Sequence, residues 1–581
     1  MSEVEGIIRF DRYEVDLRAG ELRRNNRPVK LQNQVFRLLL TLLRNRGQVW
    51  TRGQLKTQIW PPDVFIDSEN GLNTAVRKLR VVLGKPPGSR TKSSYIETVP
   101  RVGYRFTPVE NGRSIAERLN SVAILPFTND SGNNDLEFLC EGLTEALIDA
   151  ASQIRGVQRV IARNSVYRFK GRDPQEAGRE LGVEAVVSGN VQTTSDRVLV
   201  RAELLSTTDG ARIWSTRYET PLQDMPLLPS KLASALQVRF GSRVDARTRH
   251  GVAHRATTNP EAYRLYLRGR YFWAKRPTAG CVDKAIEMFS AAVALDPAFA
   301  LAHVGLADCY NTLGAWEGGV LEPAVALEKG KAAAHRALHL QPNLAEAHTS
   351  LGYCHLSYDW DWRGAEVEFK RAILLNPNYS HAHHWYSHLL VAMGRMDEAL
   401  QHSLRIIELD PLDMLINSHL AWHYHMTGDY QAEVEECRKL LEMEPQFHKA
   451  HYFMGLALEQ LGCAREATTF LQKSYEISGS TVMLAALGHA HAAAGDRDKA
   501  VGVLRTLQEL SKTRYVSAYE LGTIHVGLQE HEQALQCLEE AYMERSGWMP
   551  YLANDPTLAP LRREARFQRL LRCVSNKGNE H

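Results

Sequence analysis

Between Leu72 and Leu83 the chain carries Asn73, Thr74, Arg77, Lys78 and Arg80 and no acidic residue. At 100° per residue, Leu72, Val76, Leu79 and Leu83 fall on one helical stripe. Asn70, Thr74, Arg77 and Lys78 fall on the opposite face, with Asn73 and Arg80 on its flanks. A solvated helix face ordinarily mixes Glu with Lys. Amide, hydroxyl and guanidinium groups without a carboxylate suit hydrogen bonding to base edges and phosphates instead. A second cluster is His381, His383, His384 and His388, of which His381, His384 and His388 share a helix face at i, i+3 and i+7. Imidazoles so spaced have the reach to hold a metal or sense pH, but no carboxylate or cysteine completes a ligand set. Packing along a groove is the expected role, and no metal is expected.

Catalytic signatures are missing. The chain has no G-x-x-x-x-G-K-[ST], G-x-S-x-G, H-E-x-x-H or dinucleotide-binding glycine fingerprint. All 22 histidines follow residue 249, so the first part of the chain has no histidine general base. Asp130, Asp135, Glu141 and Glu145 gather near one strand end, where a solvated loop and a helix start account for them. Neither an enzyme nor a cofactor is expected.

The elements that position the first cluster lie in a basic segment. Residues 1–108 hold 20 Lys+Arg against 10 Asp+Glu, and the remainder holds 50 against 57, so a net +3 divides into +10 and −7. A basic block of that size is the footprint of a polyanion binder. Residues 7–31 alternate apolar and polar in short runs, which predicts a strand meander. LQNQVFRLLLTLLRNRG and TRGQLKTQIW read as two helices, the second opened by Thr51 and stopped by Pro61 and Pro62. A third runs from Asp67 or Ser68 to Gly84, and SYIETVPRVGYRF reads as a hairpin with Pro100, Arg101 and Gly103 at its turn.

These residues resemble the OmpR/PhoB-type winged helix-turn-helix family, in its CadC-like and ToxR-like N-terminal arrangement. FIDSENGLNTAVRKLRVVLG matches the recognition helix and YIETVPRVGYRF the wing. The resemblance implies double-stranded DNA as partner, with Lys78 at a base-reading position and Arg80 at a phosphate-gripping one. It also implies contacts from Asn70, Asn73, Thr74 and Arg77, a backbone contact from Thr98, and a minor-groove contact from Arg101. Family members often have Arg then Gly at the wing tip, where this chain has Pro100 then Arg101. The loop 60–68 falls where the family can touch RNA polymerase. No receiver domain precedes this segment, so aspartyl phosphorylation is not the expected switch.

At 581 residues, three to five domains are expected from about 150 residues per domain. After the winged helix (1–108), SVAILPF, a long helical stretch, VQRVIAR, PQEAGRELG and a three-stranded meander predict a small α/β (α+β) domain over 117–245. AILPF, EGLTEALIDAAS, ELGVEAVVSGNV and IWSTRYE resemble the TolB N-terminal-like domain. From 259 to 550 the chain repeats. Ala365, Ala399, Ala467, Ala500 and Ala534 are spaced by 34, 68, 33 and 34, with Ala432-Glu433 at the missing step. Gly455, Gly462, Ala467, Phe470 and Tyr475 resemble the tetratricopeptide pattern, which implies about eight helix pairs in an all-α solenoid and a capping helix at 556–575. Such solenoids take a peptide or protein in their groove, and Trp360, Trp362, Trp385 and Trp422 are expected to pack helices.

The eight cysteines stand singly, as buried free thiols would in a reducing compartment. No run approaches 18 apolar residues and MSEVEGIIRF is no signal peptide, so a cytoplasmic chain off the membrane is expected. The expected protein is a multidomain, sequence-specific regulator that assembles as a homo-oligomer on DNA and is controlled through its solenoid. The alternative is a tetratricopeptide scaffold whose winged helix reads no sequence.

Overall fold

The computed structural model describes residues 7–10, 13–16, 19–24, 27–29, 31–44, 49–60, 68–83, 95–99, 103–106, 119–131, 137–154, 157–193, 197–239, 257–276, 280–315 and 321–575. The chain divides into two compact units, Met1–Arg118 and Leu119–His581.

The first unit opens with strands β1 (Ile7–Phe10), β2 (Tyr13–Asp16), β3 (Glu21–Arg24) and β4 (Arg27–Val29), joined as one antiparallel meander in that order. Helix α1 (Asn33–Arg44), strand β5 (Val49–Thr51), helices α2 (Arg52–Ile59) and α3 (Ser68–Leu83), and strands β6 (Ile96–Val99) and β7 (Gly103–Phe106) follow. Thr51 opens α2 with a reciprocal capping box: its hydroxyl accepts from the Gln54 N–H, and the Gln54 side chain accepts from the Thr51 N–H. The expected stripe of Leu72, Val76, Leu79 and Leu83 is buried against Leu38, Leu39, Leu42, Leu55 and Phe106. Strand β5, which the periodicity did not foretell, pairs with β7 to make a three-stranded sheet ordered β5-β7-β6. Tyr13 ties the meander to the end of α3, its hydroxyl donating to the Leu83 carbonyl at 2.9 Å.

The second unit begins with a six-stranded sheet. Strands β8 (Ser121–Ile124), β10 (Arg159–Val160) and β11 (Ala185–Thr193) run parallel, with the short β9 (Thr128–Asn129) beside β11. Strands β12 (Arg197–Ser206) and β13 (Arg212–Pro221) complete the expected antiparallel meander. Helices α4 (Glu137–Ser152), α5 (Arg163–Tyr167), α6 (Pro174–Glu180) and α7 (Leu228–Arg239) accompany it.

Eight helix pairs follow among the described residues. They are α8 (Pro260–Ala274) with α9 (Cys281–Leu295), α10 (Ala300–Leu313) with α11 (Pro323–Leu340), α12 (Ala345–Cys354) with α13 (Trp362–Leu375), and α14 (Ser380–Ala392) with α15 (Met396–Leu409). Next come α16 (Met414–Thr427) with α17 (Tyr430–Met443), α18 (His448–Gln460) with α19 (Ala464–Ser478), α20 (Thr481–Ala493) with α21 (Arg497–Leu510), and α22 (Ala518–Gly527) with α23 (His531–Met543). A 3-10 turn, Pro556–Leu561, and helix α24 (Ala565–Ser575) close the stack, so the expected cap is a turn plus a helix.

The periodic alanines Ala365, Ala399, Ala467, Ala500 and Ala534 are fully buried, because only a small side chain lets paired helices approach closely at that position. Glu433 occupies the same place in the α16–α17 pair, also fully buried, and its carboxylate meets His425 Nδ1 at 3.1 Å. The sheet and the first helix pairs share one core: Val122, Leu143 and Leu232 belong to the same apolar cluster as Tyr263, Leu267 and Phe299. The boundary expected near residue 245 is therefore not a break in packing. The cysteines form no disulfide, and Cys463 and Cys573 are exposed rather than buried.

Candidate nucleic-acid interface

Burial of the leucine stripe fixes which way α3 presents its remaining side chains. Asn73, Thr74, Arg77 and Lys78 are exposed together, as the helical wheel required, and Arg80 is half-buried at their edge. Val81 shares that outward arc, one helical repeat beyond Thr74, and is 76% exposed. An apolar residue left bare among polar ones was not singled out from the sequence, although its position on the wheel is legible. A methyl-bearing side chain there suits the thymine methyl group in a major groove.

Four of the expected contact residues, Arg80, Thr98, Asn73 and Lys78, are already engaged inside the unit. Arg80 lies across the start of β6, Nε and Nη2 donating to the Ile96 carbonyl at 3.0 and 2.7 Å and Nη2 donating to Thr98 Oγ1 at 2.7 Å. Thr98 is exposed and thus linked to α3 through Arg80. Asn73 Oδ1 accepts from the Tyr104 hydroxyl at 2.6 Å and from Arg52 Nη1 at 3.1 Å, and the Arg52 guanidinium sits 5.3 Å from the centre of the Tyr104 ring. Helix α3 and the β6–β7 hairpin are thus joined on both flanks, by charge-assisted bonds at Arg80 and by a neutral hydroxyl–amide bond at Asn73. Arg52 and Tyr104 carry no sequence signal for this, since their partners are remote along the chain. Lys78 Nζ donates to Gln32 Oε1 at 2.9 Å on the surface, which leaves two of its three protons for a ligand. Arg101, the side chain of Asn70, and all of the 60–68 loop except Trp60 and the backbone of Ser68 lie outside the described residues.

The histidine cluster is regrouped. His381 lines a separate cavity of about 750 Å³ with Glu145, Arg163, Arg270 and Trp273. His384 and His388 instead meet His419 of α16, their ligand atoms all within 4.8 Å of one another. The His388 ring stacks on His419 and on Trp422, at 4.5 and 4.3 Å between centres. Ser387 Oγ donates to the His384 carbonyl, so His419 Nε2 donates to Ser387 Oγ across 2.8 Å. Burial pushes His388 down to about 3 and His381 to about 4, so these rings are neutral near pH 7. His384 stands edge-on to the His388 and His419 rings, at 68° and 62°, so the three imidazoles and Trp422 pack as one aromatic cluster. His419 was invisible in the sequence reading because it lies one repeat away.

Residues 26–106 match the family described as transcriptional regulatory protein, C terminal. The first unit is an OmpR/PhoB-type winged helix. Residues 278–324 match the tetratricopeptide repeat, in accord with the helix pairs. Putative adenylate cyclase 3 of Rhizobium meliloti is 30% identical over 188 residues, 32% of either chain. Transcriptional regulator HilA of Salmonella typhimurium is 23% identical over 418 residues, 70% of this chain and 72% of its own. KDP operon transcriptional regulatory protein KdpE of Escherichia coli is 35% identical over 100 residues, 17% of this chain and 43% of its own. The aligned segments thus span about a third of the cyclase and less than half of KdpE. Among the described residues no helix is long and apolar enough to cross a membrane.

Proposed function

We propose that this protein is a sequence-specific transcriptional regulator that lays α3 of its winged helix in the major groove of double-stranded DNA and its wing against the minor groove. The observation that carries the reading is the acid-free exposed face of α3, Asn73, Thr74, Arg77 and Lys78, on a unit of net positive charge. Arg77 and Lys78 read bases and neutralise phosphate, Val81 meets a thymine methyl, and Arg80 and Asn73 hold helix and wing in register for the groove. Asn70, Thr98 and Arg101 add contacts at the edges. The alignment with a transcriptional regulator over 70% of this chain supports the same reading.

The tetratricopeptide solenoid is the control surface, taking a protein or peptide partner, and self-association on tandem sites raises DNA affinity through effective concentration. An RNA polymerase contact through residues 60–68 completes the scheme in the cytoplasm. The protein works by binding rather than catalysis, in keeping with a chain that carries none of the four catalytic signatures sought. TolB likeness of the sheet domain rests on its sequence motifs.

Genome-fragment binding with sequencing tests this directly, using the full chain and its Arg77→Ala, Lys78→Ala double variant. A shared motif recovered by the first and lost by the second is the expected result. Recovery of the same fragments by both would favour a scaffold.

A further inference from the structure

The last four helix pairs enclose a cavity of about 590 Å³, open to solvent on one side and closed by the segment after α23. Its walls are aromatic: Trp422 from α16, Tyr452 and Phe453 from α18, Tyr519 from α22, and Trp548 from the closing segment. Tyr519 and Trp548 are nearly parallel, 13° between planes with centres 5.8 Å apart, and form one continuous face.

Carboxylates interrupt that apolar lining. Glu459 Oε1 pairs with His489 Nδ1 at 2.7 Å, but Glu459 Oε2 is buried without a hydrogen-bond partner, and so is Glu520 Oε2. Both side chains line the cavity; that of Glu459 is 7% exposed and Glu520 is 6% exposed. Asp555 is used structurally, accepting from the Tyr519 hydroxyl at 2.6 Å and from the Thr557 N–H at 2.8 Å. No Lys or Arg is among the lining residues, and its other histidine, His425, is matched by Glu433. Burial pushes the Glu520 carboxyl up to about 8, and a cation beside it favours the carboxylate, so binding of one releases that proton to solvent.

Buried acceptors without donors are rare, and each calls for an explanation. A neutral apolar molecule would leave both oxygens unpaired, and an anion would face these two carboxylates with Trp422 Nε1–H as the one buried unpartnered donor of the lining and both histidines already paired to Glu433 and Glu459. A bare metal ion is a poor match too: among the described residues, the one set of three His, Cys, Asp or Glu ligand atoms within 4.8 Å of each other is His384, His388 and His419, outside this lining. We propose that this cavity binds a small organic cation, its ammonium or guanidinium group donating to Glu459 and Glu520 and its apolar body lying on the aromatic faces. Aromatic surfaces attract such cations through their quadrupoles. The site is independent of the DNA-binding reading, and its test needs no DNA.

Isothermal titration of the full chain with tryptamine, phenethylamine and agmatine provides that test, with tryptophol and indole-3-acetate as the neutral and anionic counterparts of tryptamine. The expected result is saturable binding of at least one amine with one site per chain. If the indole is accepted, tryptamine should bind at least tenfold tighter than tryptophol and indole-3-acetate. Glu520→Gln and Glu459→Gln should each weaken the amine tenfold or more while circular dichroism and thermal midpoint show a folded chain. Equal binding of tryptamine and tryptophol, amine binding indifferent to both variants in folded protein, or no saturable binding of any of the three amines would overturn the proposal.

Discussion

Replacing Arg80 by Ala separates two roles that are confounded in a simple affinity loss. The guanidinium makes three hydrogen bonds, two to the Ile96 carbonyl and one to Thr98 Oγ1, and lies 6.0 Å from the centre of the Tyr104 ring. A charged hydrogen bond contributes about 1.5 to 3 kcal/mol when shielded and less when exposed. For this half-buried group we take about 2 kcal/mol for the set, a factor of about thirty in an equilibrium constant. If the set holds the wing on α3, Arg80→Ala should speed amide exchange of Ile96–Val99 by roughly that factor through local opening. DNA affinity should fall with the slope of log K against log salt unchanged, because no phosphate contact is lost. Arg77→Ala should do the reverse, leaving exchange in β6 untouched while reducing the slope by about 0.9 if its contact is to phosphate. Arg80→Lys should behave like Ala, since an ammonium cannot span the same acceptors in the plane of a guanidinium. A salt slope lowered by about one in Arg80→Ala, with wing exchange unchanged, would refute this role for Arg80. That result would make Arg80 a phosphate grip in the way the family resemblance implies.

Three further outcomes are expected. Gly103→Ala should destabilise the first unit by more than about 3 kcal/mol, read as its loss in a thermal scan, because a Cβ there would lie 1.8 Å from the Trp50 carbonyl oxygen of the paired strand. His388, His381, His383 and His423 are held at about 3, 4, 4 and 4 by burial, below the ordinary 6.5, so the folded chain binds fewer protons than the unfolded one. Their stabilisation is complete above pH 6.5 and drains as pH falls toward 4, by at most about 1.4 kcal/mol per group per pH unit; in urea unfolding at pH 7 and pH 5, His388→Phe should lose less on acidification than the parent, and equal losses would refute the assignment. Glu520 has the opposite sign, its carboxyl held at about 8, so the parent loses stability as pH rises from about 4.5 to 8. The advantage of Glu520→Gln over the parent should therefore grow across that window, and a constant difference would count against it.

Local periodicity made much of this architecture legible. The buried stripe of α3, the exposed Arg77 and Lys78, the sheet meander and eight helix pairs each follow from residues within one element or one repeat. What escaped depends on pairs far apart in sequence. Arg52 reaches Asn73, Tyr104 reaches Asn73 and Arg80 reaches Ile96 only after the chain has folded, so a wheel of α3 alone does not show these bonds within the unit. In the same way His384 and His388 find their third ring, His419, on the next repeat while His381 turns to another cavity. Glu433 is the instructive case, because a buried carboxylate at an alanine position looks like a defect in the repeat until His425 is placed beside it.

The prolines that mark repeat ends also do more than end helices. Near Pro411 the α15–α16 corner docks on the sheet: Asp410 accepts from the Ser165 N–H at 2.8 Å and from its hydroxyl, the Ala162 N–H donates to the Leu409 carbonyl at 2.8 Å, and Arg159 Nε donates to the Glu408 carbonyl at 2.6 Å. Around Pro377, Asn376 and Asn378 reach Ser152 at the end of α4. Two successive repeat ends are thus bonded to the α/β layer through buried polar groups, which are expensive to leave unpaired. A change in spacing between those two pairs must be matched by the sheet edge or break these bonds. The sheet domain therefore acts on the solenoid as a splint over the middle repeats, and α16, capped by Asp413 where that corner meets Asn164, carries Trp422 from the splint into the wall of the aromatic cavity.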